Sequence, residues 1–210
     1  MKLFLIIFSL ILSSSALADK ITILHINDHH SHLEPNKRLD LNLDGEKTRV
    51  VSGGFPSVVA KFKELKLKNE NVIKLHAGDA ITGTLYYTLF KGKADAEMMN
   101  QICFDAFAIG NHEFDDGDKS LVEFLDYLHT DKCKTPFLSA NIKAKINSPL
   151  SKKIKPYTII NKGNQKIGVI GIVISKKTRE SSNPDDTTLF LDEINSAQEN
   201  INKLKQQGIN

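Results

Sequence analysis

The chain has 210 residues, 40% hydrophobic and 25% charged, an ordinary globular composition that argues against disordered, collagen-like and coiled-coil proteins. Its 28 basic and 25 acidic residues leave a formal net charge of +3. The lysines are spread along the chain, which excludes the concentrated basic footprint of a nucleic-acid-binding protein. Two cysteines are too few for a disulfide scaffold and lack zinc-knuckle spacing.

The first element is a leader. Met1-Lys2 is a short basic start, Leu3 to Leu12 is apolar apart from Ser9, and Ala16-Leu17-Ala18 offers small residues for cleavage after Ala18. An apolar run of about ten residues falls short of the roughly 20 needed to cross a bilayer, and no later segment is long or apolar enough. Residues 1–18 therefore read as a signal peptide, and the mature chain as exported, periplasmic or extracellular, with no transmembrane segment. In an oxidising compartment Cys103 and Cys133 can pair, because each precedes an apolar run that reads as one of two neighbouring strands. Two free buried thiols are the alternative.

Lys20 to Asn27 is β-branched and half alternating, a strand. Arg38 to Lys47 reads as a polar surface loop. Gly53-Gly54 opens a helix with Pro56 in its first turn, and Phe55, Val58, Val59, Phe62 and Leu65 fall on one helical face. Val72 to His76 is the second strand. Leu85 to Ile102 is mainly helical with a break near Lys91-Gly92-Lys93. Phe104 to Ile109 is the third strand, and Asp118 is placed to cap a helix burying Leu121, Val122, Phe124, Leu125 and Leu128. Phe137 to Asn141 is the fourth strand. Pro156–Asn161 and Lys166–Ile172 form a hairpin across Gly163-Asn164. A last helix, Asp192 to Gln207, aligns Ile194, Ala197, Ile201 and Leu204.

Alternating strands and helices predict an α/β fold with a largely parallel sheet covered on both faces. The final helix has no strand to feed, so the domain reads as truncated before completion.

Open parallel sheets bind ligands at the carboxyl ends of their strands. Here three strands end in Asn27-Asp28-His29-His30, in Gly78-Asp79 and in Gly110-Asn111-His112-Glu113-Phe114-Asp115. Any one of these could be loop chemistry alone. Three together bring carboxylate, imidazole and amide donors to one sheet edge, a mixture suited to Zn, Mn or Fe. Asp28 and His30, two apart, can point to the same side. Asp79 at the tip of the middle strand can bridge two ions, and Asn111 can ligate without adding charge. Two cations about 3.5–4 Å apart can activate water and neutralise a phosphate. His112, three residues before Asp115, reads as an imidazole held in one tautomer.

HINDHH at 25–30, AGD at 77–79 and GNHEFD at 110–115 resemble the first three signature blocks of secreted 5′-nucleotidases, metallophosphatases of the calcineurin-like superfamily. GGFPSVVAKFKELK, FDAFAIGNHEFDDG, PFLSANI, PYTII and KIGVIGI follow that family in order and spacing, over nearly all of residues 20–210. The resemblance implies a metallophosphatase-type sandwich of mixed sheets flanked by helices, and two divalent ions, Zn or Mn. It implies that Asp28 and His30 hold one ion, Asp79 bridges, and Asn111 holds the other. His112, paired with Asp115, would contact the substrate phosphate. Ile26 departs slightly, standing where threonine is common. The large departure is the lack of two further histidine-bearing blocks and of a C-terminal domain that stacks the nucleobase.

Other polar residues read as bystanders. His25 is expected in the core or behind the site, and His29 is expected to face away from His30. His32 is expected on an exposed loop, His76 as structural, and His129 at a helix end on the surface. Glu113 is expected to orient neighbours, and Phe114 and Tyr86-Tyr87 to pack.

Two functions follow. One is a metal-dependent phosphohydrolase acting on extracytoplasmic nucleotides, yielding nucleoside and phosphate through a metal-activated water. Monophosphates, nucleotide sugars, dinucleotides and cyclic nucleotides stay open as substrates. The other is a catalytically incomplete exported fragment that at most binds one metal ion or a partner. For the 210 residues alone, weak metal binding and little turnover are expected.

Overall fold

The structure is a computed structural model that describes residues 20–209; the leader read at residues 1–18 lies outside them. The chain begins with β1 (Thr22–Ile26) and then a hairpin of β2 (Asn36–Leu43) and β3 (Glu46–Ser52). This hairpin corrects the polar loop expected at Arg38–Lys47. Its turn is Asp44-Gly45, both with positive φ, and Asp40 faces Arg49 across the register. An Asp-Gly pair at that position is a hairpin turn signal, and Leu39, Leu41 and Leu43 alternate with polar residues ahead of it.

Next come α1 (Phe55–Lys68), β4 (Val72–His76), α2 (Leu85–Phe90) and α3 (Lys93–Asn100). The break between α2 and α3 falls at Lys91 and Gly92, both left-handed, where the sequence placed it. β5 (Ala106–Ala108), a single 3₁₀ turn at His112–Phe114 and α4 (Gly117–Leu128) follow, then β6 (Phe137–Leu138), β7 (Ile142–Ala144) and β8 (Ile154–Lys155). The hairpin of β9 (Tyr157–Lys162) and β10 (Gln165–Ile170), α5 (Ser175–Ser181), β11 (Thr188–Phe190) and α6 (Glu193–Gln206) complete the described chain.

The central sheet has the order β1-β4-β5-β6-β8, and every pairing in it is parallel. Three two-stranded antiparallel sheets surround it. Leu24, Val72 and Phe107 on one face pack with Phe55, Val59 and Phe62 of α1, Met99 of α3 and Leu121, Phe124 and Leu125 of α4. Each large apolar side chain buried this way contributes roughly 1.5–3 kcal/mol. On the opposite face the β1 edge is open, with Ile23 59% exposed. Cover on both faces, as expected from the alternating pattern, is therefore incomplete there. His25 shares that open edge and is exposed, which corrects its expected place in the core.

Two further corrections concern helices. Asp118 does not cap α4; it lies in the first turn, fully buried, accepting hydrogen bonds from the Asp185 amide and the Thr188 hydroxyl. Asp116 occupies the cap position, but its carboxylate is engaged by Tyr87 and Lys91 instead. In α6 the apolar spacing gave the helix but not its buried face. Ser196, Asn200 and Leu204 turn inward while Ile194 stays 79% exposed. Leu204 fits against β10 because Gly168 has no Cβ; one added there would lie 2.7 Å from Leu204 Cδ1.

Cys103 and Cys133 form a disulfide spanning 30 residues. Each precedes one of the paired parallel strands β5 and β6, the arrangement the sequence allowed.

Candidate active site

The site lies where β1, β4 and β5 end, in three loops joined by their backbones. The parallel pairing of β1 and β4 continues past both strands: the Asp28 amide donates to Gly78 O (3.0 Å), His30 to Asp79 O (3.2 Å) and Ser31 to Ala80 O (2.9 Å). Asp28 and His30 share a side, as their spacing allowed, but on turned rather than extended backbone. Asp28, His30, Ser31 and Asp79 all adopt left-handed φ angles of 45–53°, a conformation that costs roughly 1–2 kcal/mol per non-glycine residue. Such strain persists only where surrounding contacts over-determine it, and it gathers at functional sites.

Two glycines bring the loops after β4 and β5 into contact. A Cβ on Gly78 would lie 2.5 Å from Gly110 N, and one on Gly110 would lie 2.2 Å from Asp79 Oδ1. Glu113, 1% exposed, then ties the loops together. Its Oε2 accepts from the Asp79 and Gly110 amides (2.9 and 2.7 Å), and its Oε1 from the Ala80 amide (2.7 Å). Burial and the Asp79 charge push its pKa up to about 7, opposed by those three amides. The orienting role expected of Glu113 thus takes the form of a clasp on backbone.

Of the expected site residues, His30, Asp79 and His112 converge, with one ligand atom of each within 4.8 Å of the others. Asp28 joins through His30, its Oδ1 lying 3.7 Å from His30 Nε2. The His30 and His112 rings meet edge to face at 4.8 Å. Asp79 Oδ1 accepts the His112 amide at 2.9 Å. Asp79 is raised from the usual carboxylate range, first by burial and also by the nearby Asp28 charge. The His112 Nδ1 lies 2.7 Å from Asp115 Oδ2, and Asp115 Oδ1 accepts from the Ser182 hydroxyl at 2.9 Å. Burial lowers the His112 pKa, but the Asp115 hydrogen bond and the Asp115, Asp79 and Glu113 charges outweigh it and raise the value.

Asn111 is 8% exposed, and its Nδ2 is buried without a partner among the described residues. An amide can be turned to present oxygen at that place, and a cation there would satisfy it. This orphaned group, the crowded carboxylates and the mix of oxygen and imidazole donors fit divalent ions.

The bystanders fall mostly where expected. His29 faces away from His30, against His76 and Phe55. His76 is buried, and His32 and His129 are exposed. Phe114 is fully buried, its ring 5.3 Å from Phe190. The Tyr86 hydroxyl donates to Glu34, and Tyr87 is buried. Sequence reading missed Ser182 and Asn183, which hold Asp115 from 67 and 68 residues away. Nothing local to either residue signals that contact.

A parallel sheet whose strand ends gather aspartate, histidine and asparagine around a loop of this kind defines a metallophosphoesterase. Residues 21–205 match the calcineurin-like phosphoesterase family, and the chain belongs to it. Within that family it is similar to 5′-nucleotidases. It is 48% identical to the NAD 5′-nucleotidase of Haemophilus influenzae over 97% of this chain and 34% of that protein. It is 46% identical to a probable 5′-nucleotidase of Treponema pallidum, over 91% and 31%. The solved Haemophilus influenzae NAD nucleotidase superposes with a TM-score of 0.83 at 50% identity, covering 90% of this chain and 32% of that one. The chain thus spans about a third of the length of these relatives.

Proposed function

We propose that this chain carries the metal-binding part of a 5′-nucleotidase that hydrolyses nucleotides outside the cytoplasm to nucleoside and phosphate. The observation that carries the reading is the convergence of His30, Asp79 and His112 within 4.8 Å, flanked by Asp28 and Asn111. Asp28 and His30 would hold one divalent ion, Asn111 the other, and Asp79 both. Bound ions of this kind supply an activated water and neutralise phosphate charge.

The chain's own residues do the rest. Asp115 occupies Nδ1 of His112, which leaves Nε2 to donate to a phosphate oxygen or to the departing nucleoside oxygen. The raised pKa of His112 favours the protonated form needed for that step. Glu113 and the Gly78–Gly110 contact keep the loops in register. The Cys103–Cys133 disulfide supports an oxidising compartment, and no helix among the described residues is long and apolar enough to cross a membrane.

By this assignment one ion has three protein ligands, Asp28, His30 and Asp79, and the other only Asp79 and Asn111, short of the three protein ligands plus water of a catalytic zinc site. That favours weak metal binding and little turnover by the 210 residues alone. The test is a graft of residues 20–209 in place of the matching third of the Haemophilus influenzae relative. Mn²⁺-dependent phosphate release from AMP, abolished by EDTA, is expected from the graft and only weakly from the free chain. A folded graft without activity would overturn the reading.

A further inference from the structure

Asp95 on α3 is fully buried, and nothing in the phosphate chemistry uses it. A buried carboxylate costs several kcal/mol unless it is paired. Its partners come from one place, the loop after β1. Asp95 Oδ2 accepts from the Ser31 hydroxyl at 3.1 Å, and Oδ1 lies 3.3 Å from His29 Nε2. Neither His29 Nε2 nor Asp95 Oδ1 makes a hydrogen bond among the described residues, so each is the other's nearest polar contact and their attraction is electrostatic. His29 and Ser31 flank His30 in sequence, so the two oxygens of Asp95 grip the loop on either side of that residue.

The contacts continue beyond His29. Its Nδ1 lies 3.0 Å from His76 Nε2, and His76 Nδ1 accepts the Gly78 amide at 3.1 Å. This fixes the proton order. Gly78 donates to Nδ1 of His76, so a neutral His76 carries its proton on Nε2 and gives it to His29 Nδ1. A neutral His29 then carries its proton on Nε2, facing Asp95. One chain of contacts thus runs from α3, behind the site, to the residue preceding Asp79.

We infer that Asp95 is a positioning residue, which through Ser31 and His29 holds the left-handed loop that presents Asp28 and His30. The inference rests on reading those two as metal ligands. It explains how Asp28, His30 and Ser31 keep φ angles of 49°, 45° and 52°: the helix behind them supplies the constraint.

The test uses Asp95→Asn in the full chain, with two readouts. Amide exchange followed residue by residue should accelerate about tenfold at His30 and Ser31, with Ala106–Ala108 unchanged. Mn²⁺ affinity should fall about tenfold, the scale of losing an outer support of a metal site. Exchange within about twofold of the parent at His30 and Ser31, or equal acceleration in β5, would overturn the inference. If Asp95→Asn does not fold, Ser31→Ala removes one arm of the grip; the same local acceleration is expected, and its absence is equally fatal. A parent chain that binds no Mn²⁺ counts against the metal reading, while the exchange data still decide the role of Asp95.

Discussion

Gly110→Ala tests the packing on which the site depends. Gly110 is not left-handed, so the substitution introduces no backbone strain; its effect is contact alone. The new Cβ would lie 2.2 Å from Asp79 Oδ1, 2.6 Å from Asp79 N and 2.9 Å from Asp79 Cγ, where about 3.5 Å is comfortable. The backbone nitrogen cannot swing aside, so the loops after β4 and β5 must separate by roughly 1 Å. Overpacking of this kind costs about 1–3 kcal/mol. Separation also stretches bonds to carboxylates that cross between the loops, among them Asp79 N to Glu113 and His112 N to Asp79, each worth about 1.5–3 kcal/mol when intact. With partial relaxation the sum is about 3–6 kcal/mol, a large part of a typical stability of about 5–15 kcal/mol. At roughly 2–4 °C per kcal/mol for a chain of this size, thermal melting followed by circular dichroism should shift down by about 6–24 °C. Gly45→Ala is the control: nothing lies within 4 Å of its Cβ, but its φ is +88°, so it should lose only about 1–2 kcal/mol to backbone strain. A Gly110→Ala chain melting within about 2 °C of the parent, or a control just as damaged, would refute the reasoning.

Three other outcomes are expected. Replacing Cys103 and Cys133 by serine opens a 30-residue loop and should cost about 3–4 kcal/mol in urea unfolding; an unchanged midpoint would show that the crosslink does not stabilise this fold. Burial, and then the charges of His29 and His25, hold the His76 pKa well below 6.5, so the folded chain refuses a proton that the unfolded chain accepts. The penalty is absent above pH 6.5 and grows as pH falls below it, by up to about 1.4 kcal/mol per pH unit; His76→Gln should flatten that acid limb, and an identical slope would contradict the assignment. Ser182→Ala frees Asp115 Oδ1, and in the active graft it should lower kcat severalfold with KM little changed; a change confined to KM would place Ser182 outside the orientation of His112.

The sequence carried the positions of the elements well where apolar periodicity was strong. α1 and β4 lie where Phe55, Val59 and Phe62 and where Val72 to His76 placed them. It carried the candidate site because the three loops set their polar groups directly after short strands, two of them just past a glycine, Gly78 and Gly110. The β2–β3 hairpin was legible but overlooked: Leu39, Leu41 and Leu43 alternate with polar residues up to the Asp44-Gly45 turn. One kind of information was out of reach. Contacts closed by the tertiary fold, such as Ser182 on Asp115, Thr188 on Asp118 and Asp95 behind His29, depend on neighbours tens of residues away. The α6 face belongs here too, because a helix on the border of the described fold buries whichever face meets β10.

The central claim is that Asp28, His30, Asp79 and Asn111 form a site for divalent ions, and titration of the chain with Mn²⁺, read by calorimetry, addresses it most directly. Saturable binding is expected for the parent chain, weak but measurable, and none for Asp79→Ala, whose carboxylate both ions would share. Equal binding by parent and variant, or none by a folded parent, would contradict it.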